Sequence, residues 1–213
     1  MALTRRSVVL ALAALLMSAG LPRAAVSPSD TPPPPAPSPA GSLTGQLLVA
    51  SPDMFDPRFA NTVILMVRHN SEGAFGIVIN RPAEDRSIES LLHALGDKAA
   101  KVDGSVRIYA GGPVEQRLGF ILHSAEYHLA ETLAIDDRFA LTSSLDVLRD
   151  IARQHGPAKS LVAFGYAGWG PGQLEGELAS RAWFTAPADP ALVFDADRET
   201  LWDAAMARRV INL

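Results

Sequence analysis

Residues 62–80 read TVILMVRHNSEGAFGIVIN, and this stretch determines the class of fold. The run at 62–69 is apolar and rich in β-branched residues, which is typical of a buried strand. A glycine-containing loop then leads into a second apolar run, IVIN. Pro82 ends that run because proline cannot donate a hydrogen bond to a sheet ladder. The stretch therefore predicts two consecutive strands with no helix between them.

Similar patterns recur on both sides of this stretch. Apolar runs bounded by turn residues predict further strands at 45–50, 106–110, 119–123, 160–165 and 183–187, with short ones near 132–135 and 138–141. Helices are predicted singly, at 88–95 after an N-cap at Ser87, at 145–155 after a cap at Ser143 or Ser144, at 172–180 and at 198–209. Because strands often follow one another while helices come singly, we predict an α+β fold with a largely antiparallel sheet.

The first 25 residues have the pattern of an export signal. Arg5 and Arg6 precede an apolar run that is long enough for a signal-peptide core and short for a membrane span. Paired arginines followed by Val8 and Val9 also fit a twin-arginine signal. A general secretory signal is the alternative, since it too begins with positive charge. Either route predicts a periplasmic or otherwise exported protein.

Residues 26–42, VSPSDTPPPPAPSPAGS, predict a disordered linker, because prolines favour an extended chain and almost nothing here can be buried. The predicted single domain, 43–213, holds 16 basic and 22 acidic residues. That negative balance opposes direct nucleic-acid binding, since contacts to phosphate supply most of such affinity. We also expect no membrane span in the mature chain.

The sequence contains no cysteine, which excludes disulfides, thiolate metal sites and a cysteine nucleophile. The five histidines do not form the H-E-x-x-H zinc motif. His123 and His128 are five positions apart, a spacing that puts them on different faces of a helix or strand. We therefore predict no metal site and no cofactor.

The segment GYAGWGPGQLEGEL at 165–178 invites comparison with phosphate-binding loops. A dinucleotide fingerprint needs glycine where Gln173 stands, and a P-loop needs a Gly-Lys pair that the sequence lacks. We interpret the segment as a strand-to-helix turn required by the fold, because glycine reaches backbone conformations that other residues do not. Anion binding at the start of the helix stays open. Trp169, between two glycines, is expected to be exposed and to contact a ligand.

A second near-motif is His69-Asn70-Ser71-Glu72-Gly73, which approaches the G-x-S-x-G nucleophile elbow. It lacks the first glycine, and it joins two predicted strands where the elbow joins a strand to a helix. A serine hydrolase is therefore not predicted.

Taken in order, several of these segments resemble the YqgE/AlgH family. The similar blocks are residues 45–82, 111–123, 141–148 and 165–187. The resemblance implies a single α+β domain with a barrel-like antiparallel sheet flanked by a few helices. It implies no settled activity, although the AlgH branch is linked to the control of alginate production as a candidate regulator of transcription. Family members look cytoplasmic, so a cytoplasmic location is the alternative to export.

Polar residues and glycines at loop ends of these blocks either shape turns or line a site. We take eight of them as candidates for a pocket or ligand-binding site: His69, Asn80, Arg81, Gly111, Gly112, His123, Trp169 and Glu175. No catalytic residue is predicted.

We favour a non-enzymatic binding or regulatory domain whose partner is an unidentified protein or small ligand. The alternative is an enzyme with a polar site around His69, Arg81 and His123. In that alternative Arg81 binds a carboxylate or phosphate, and a histidine acts as general base.

Overall fold

A computed structural model of the chain describes residues 41–98 and 100–210. The predicted export signal at 1–25, and the predicted linker up to residue 40, lie outside the described residues. Of the helices in the described ranges, none is both long and apolar enough to cross a membrane.

The described chain contains ten strands, four short α-helices and one π-helical turn. The strands are β1 (Gln46–Ala50), β2 (Val63–Asn70), β3 (Gly73–Val78), β4 (Pro82–Ser87), β5 (Ser105–Ala110), β6 (Val114–Ser124), β7 (Leu133–Ala134), β8 (Phe139–Thr142), β9 (Ser160–Trp169) and β10 (Trp183–Pro187). The helices are α1 (Ile88–Ala94), α2 (Asp146–Ala152), α3 (Gln173–Ala179) and α4 (Leu201–Ala207), and the π-helical turn is Ala191–Asp195.

The strands form one curled sheet in the order β10-β1-β2-β3-β9-β6-β8-β7. Neighbours along this path are antiparallel. Strand β5 pairs with β9 in parallel and carries β4 at its other edge. The sheet curls into a half-barrel, so the predicted α+β class with a largely antiparallel, barrel-like sheet is confirmed.

Alternation of side chains along the strands divides the apolar residues among several layers. Leu47 and Val49 of β1 face the main core, which α4 and the π-helical turn cover. Leu48 and Ala50 face the opposite side, where α3 and the loop 51–61 pack. A third cluster lies between α1, α2 and the strands β5, β6 and β9. Burial on both faces explains why these strands read as continuous apolar runs.

Three local features differ from the sequence-based expectations. Strand β4 was not predicted, because its residues PAEDRS are mostly exposed and polar, as suits an edge strand. The π-helical turn was not predicted either. Ser87 caps α1 as expected, with its hydroxyl accepting a hydrogen bond from the Ser90 N–H. By contrast, α2 begins after Leu145, and neither Ser143 nor Ser144 is its N-cap.

Candidate functional site

The sequence-predicted candidates fall into separate parts of the domain. His69, at the end of β2, lies 3.0 Å from Glu175 of α3, measured from Nε2 to Oε1. The Leu43 N–H donates to His69 Nδ1 at 3.1 Å. Since Nδ1 accepts this bond, the proton of the neutral ring lies on Nε2 and is donated to Glu175. The pKa of Glu175 is lowered, first by its own backbone N–H and then by His69.

Trp169 belongs to a group of four side chains that we call the indole cluster: Trp169, Gln173, Glu177 and Trp183. Both indole N–H groups donate to Glu177 Oε2, at 2.9 Å from Trp169 and 2.8 Å from Trp183. The Gln173 amide donates to Oε1 of the same carboxylate at 2.9 Å. Trp169 is only 7% exposed, so the expectation that it is exposed is wrong. Its polar atom is satisfied inside the domain.

Gly111 and Gly112 lie where the turn after β5 crosses β9. A Cβ on Gly112 would lie 2.1 Å from the Tyr166 carbonyl carbon, and the φ of Gly112 is +152°. A Cβ on Gly111 would lie 2.4 Å from the Gly165 oxygen. The Gly111 N–H already donates to the Phe164 carbonyl at 2.7 Å. Close backbone approach therefore explains both glycines.

His123 is fully buried in β6, on the face that α2 covers. Its Nδ1–H donates to the Ser124 carbonyl at 2.9 Å, and its ring meets Tyr127 edge-on. Its Nε2 has no hydrogen-bond partner among the described residues. Burial lowers the pKa of His123, because the interior disfavours the charged imidazolium. Neither its hydrogen bond nor its ring contact involves another of the candidates.

Asn80 and Arg81 lie together, and they line a cleft of about 500 Å³ beside the start of α4. We call it the α4 cleft. Its lining residues come from the loop before β2, the segment between β3 and β4, and the C-terminal turn and helix: Ala60, Asn61, Asn80, Arg81, Arg198, Glu199, Trp202 and Asp203.

One wall of the α4 cleft is held by side-chain bonds to the backbone. Asn80 accepts from the Val63 N–H at 2.9 Å and donates to the Asn61 carbonyl at 2.8 Å. These bonds fix Asn61 at a left-handed φ of 53°. Arg81 Nη2 donates to the Ala60 carbonyl at 2.9 Å. Asn80 is therefore a positioning residue for the loop that forms this wall.

The base of the cleft is held in the same way. Arg198 donates to Tyr109 Oη at 3.2 Å and to the carbonyls of Val193 and Phe194 at 2.8 and 2.7 Å. Its guanidinium also lies over the Tyr109 ring, 5.5 Å from the ring centre. The Trp202 indole donates to the Ala50 carbonyl at 2.9 Å, which fixes the ring against the main core.

The charges of the α4 cleft are unpaired. In the described ranges, no carboxylate oxygen lies within 4.0 Å of a side-chain nitrogen of Arg81 or Arg198. Six arginines elsewhere in the described residues do have a carboxylate partner, as Arg107 has in Asp85 and Arg138 has in Asp136. Both cleft arginines are half-buried, and the side-chain hydrogen bonds that they make to described residues all go to neutral oxygens.

The sequence pointed to only part of this site. Asn80 and Arg81 were among the candidates, whereas Arg198, Glu199, Trp202 and Asp203 were not. The spacing of Glu199, Trp202 and Asp203 is the three- and four-residue spacing of one helix face, and this was the available signal. As for metals, no three His, Asp or Glu side chains of the described residues are grouped to hold an ion.

The fold and the cleft define a small α+β domain with a polar groove, and comparison with known proteins assigns it more narrowly. A family model described as AlgH-like matches residues 47–213, and the chain belongs to this family. The resemblance noted from sequence blocks is thereby confirmed.

Individual relatives agree with this assignment. The chain is 49% identical over 172 residues to a UPF0301 protein of Rhodospirillum rubrum, covering 81% of this chain and 90% of the relative. It is 49% identical over 166 residues to a UPF0301 protein of Jannaschia sp., covering 77% and 86%.

Solved structures give the same fold. The solution structure of the AlgH protein from Pseudomonas aeruginosa superposes with a TM-score of 0.68 at 43% identity, covering 82% of this chain and 93% of that one. A crystal structure of a Corynebacterium diphtheriae protein superposes with a TM-score of 0.61 over 78% of this chain and 87% of the other. At 23% identity the second likeness shows the fold alone.

Proposed function

We propose that this domain is a non-enzymatic binding domain with a regulatory role, and that it recognises the acidic group of a small ligand in the α4 cleft. The observation that carries the proposal is a pair of half-buried arginines that line the cleft, Arg81 and Arg198. Neither has a carboxylate partner among the residues that the structure describes.

Electrostatics supports an anionic group at this place. A partly buried guanidinium loses hydration, and neutral acceptors replace only part of it. A carboxylate or phosphate restores the missing charge and matches the planar fork of arginine donors. The Arg198 side chain keeps unused N–H groups after its three bonds, and the Arg81 side chain makes one bond to a described residue.

The size and rigidity of the cleft support a small ligand. A volume of about 500 Å³ lies within the range of small-molecule sites, roughly 300–1,000 Å³. The Asn80 bonds to the loop and the Trp202 bond to Ala50 hold the walls in place before any ligand arrives. A wall that is already ordered lowers the entropy lost on binding.

No observation favours the enzyme alternative. Both ring nitrogens of His69 are used, by the Leu43 N–H and by Glu175. His123 is fully buried and cannot reach a solvent-borne substrate without a change in structure. Neither histidine lines the cleft that contains Arg81, so the histidine base of that alternative is missing from its lining residues.

The proposal also covers where the protein acts and what kind of partner it binds. We propose that the signal-like residues 1–25 direct export and that the domain acts outside the cytoplasm. The excess of acidic residues in 43–213 favours a small acidic ligand bound at a local positive site over a nucleic acid, which needs an extended basic surface.

The test is thermal unfolding of the full chain in succinate or inorganic phosphate, with chloride at equal ionic strength as reference. A ligand at a hundred times its dissociation constant adds roughly 2.7 kcal/mol to the free energy of unfolding. We expect Arg81→Gln to abolish the stabilisation. Arg107→Gln is the matched control, because Arg107 is an exposed arginine already paired with Asp85. Equal loss in both variants, or no stabilisation of the unmodified chain, contradicts the proposal.

A further inference from the structure

The α4 cleft is lined by charges of both signs. Arg81 and Arg198 supply positive charge, while Glu199 and Asp203 supply exposed negative charge. Within the part of the chain that the structure describes, no side-chain oxygen of Glu199 or Asp203 lies within 4.0 Å of a side-chain nitrogen of an Arg, Lys or His residue. Four charges therefore share one cleft, and none of them is neutralised by another.

The arginines are kept apart from these acids by their other bonds. Arg198 is held by Tyr109 and by two carbonyls, and Arg81 is held by the Ala60 carbonyl. Opposite charges that share a cleft gain energy when they meet, so holding them apart leaves that gain to a molecule placed between them. Such a molecule has one negative and one positive end.

We infer that the α4 cleft binds a small zwitterion of the amino-acid type, with its carboxylate on Arg81 and Arg198 and its ammonium on Glu199 and Asp203. This inference rests on the proposed function, and it adds the ammonium group to the acidic group proposed there. A ligand that has only an acidic group pairs with the two arginines but leaves the carboxylates of Glu199 and Asp203 without a positive partner.

The remaining lining residues suit the middle of such a molecule. Trp202 is half-buried, and its ring is fixed by the bond to Ala50. An indole wall contacts methylene groups between the two charged ends of a ligand. The Asn61 side-chain amide lines the cleft and bonds to no other described residue, so it is available to a ligand carboxylate or ammonium.

The experiment is isothermal titration calorimetry of the full chain with γ-aminobutyrate, butyrate and butylamine, three probes with the same carbon chain. Glycine is added as a probe with a shorter separation of charges. We expect γ-aminobutyrate or glycine to bind at least about tenfold more tightly than butyrate, and butylamine to bind more weakly still.

Variants assign the gain to the two acids. We expect Glu199→Gln and Asp203→Asn to reduce the binding of the zwitterion toward that of butyrate while butyrate itself binds as before or better. Glu131→Gln is the control, because Glu131 is exposed and lies outside the cleft. Its titration curves should match those of the unmodified chain.

The outcomes separate the two claims. If butyrate binds as tightly as both zwitterions, the inference is overturned and the proposed anion site stands. If none of the probes binds but succinate or phosphate stabilises the chain, the inference is overturned alone. If succinate and phosphate also fail, the proposed function falls with it.

Discussion

The indole cluster and the α4 cleft are both polar, but their polar groups are satisfied in different ways. In the indole cluster, Glu177 takes two indole N–H bonds and one amide bond, so donors and acceptor are matched inside the domain. In the α4 cleft, Arg81 and Asp203 carry full charges with no charged partner among the described residues. The first arrangement holds the fold together, and the second is available to a ligand.

The comparison shows that the most conspicuous sequence motif and the surface available for binding lie in different places. The glycine-rich segment at 165–178 is the most conspicuous motif in the chain, yet its tryptophan is buried and bonded. The cleft draws on segments that carry no motif of their own, such as 198–203. We therefore base the proposed site on unpaired charge on a concave surface, and not on the motif.

The largest effect on stability is expected at Gly112, whose close backbone contact supports the fold. Gly112→Ala puts a Cβ 2.1 Å from the Tyr166 carbonyl carbon, at a φ of +152°. We expect it to lower the free energy of unfolding by more than about 3 kcal/mol, measured by urea denaturation. Gly176→Ala in α3 is the control, since a Cβ there meets nothing within 4 Å. It should stabilise the chain by about 0.4–1 kcal/mol. Equal stability of the two variants would contradict the claim that the fold requires glycine at position 112.

The second largest effect on stability is expected in the indole cluster. Glu177→Ala leaves the Trp169 and Trp183 N–H groups without an acceptor, and we expect a loss of about 2–4 kcal/mol in urea denaturation. Glu177→Gln keeps one carbonyl oxygen for the indoles, so its loss should be smaller. A Glu177→Ala chain as stable as the unmodified one would mean that the cluster does not support the fold.

A pH dependence follows from His123. Burial lowers its pKa below the ordinary value of 6.5, so the folded chain binds fewer protons than the unfolded chain in this range. The contribution of His123 to the free energy of unfolding is therefore fully present above about pH 6.5. It falls as the pH drops from there toward the pKa of the folded state. Denaturation midpoints at pH 7.5 and 5.5 measure the fall, and His123→Gln should flatten it. Carboxylates with lowered pKa values, such as Glu126 and Asp189, act at lower pH.

The smallest effect on stability is expected in the α4 cleft. Asp203→Asn changes an exposed side chain that has no partner in the described structure, so unfolding should change by no more than about 0.5 kcal/mol. The same variant should lose zwitterion binding. A stability loss as large as that of Glu177→Ala would show that Asp203 supports the fold, and the contrast between the two regions would disappear.

Sequence reasoning succeeded where the signal is local. The apolar runs of β1 to β3 and the Ser87 cap of α1 depend on neighbours in the chain, so pattern and capping rules predicted them. Strand β4 escaped prediction because its edge position and exposed side chains leave no apolar pattern.

The candidate site was predicted only in part for a similar reason. Asn80 and Arg81 belong to a conspicuous block, but whether Arg81 has a carboxylate partner depends on which distant segments fold against it. The buried state of Trp169 depends on Glu177, eight residues later, and on Trp183 across the turn to β10. Such pairings are fixed by tertiary contacts, and no single stretch of sequence reveals them.

The three tryptophans provide the most direct test of the contrast between these regions, because each indole N–H has a defined partner. Trp169 and Trp183 report on the indole cluster, and Trp202 reports on the α4 cleft. We would record ¹H–¹⁵N correlation spectra of the full chain during a titration with γ-aminobutyrate, with the indole signals assigned by Trp→Phe variants. We expect the Trp202 signal to move and the other two to stay. Movement of the Trp169 and Trp183 signals with a stationary Trp202 would contradict a ligand site in the α4 cleft.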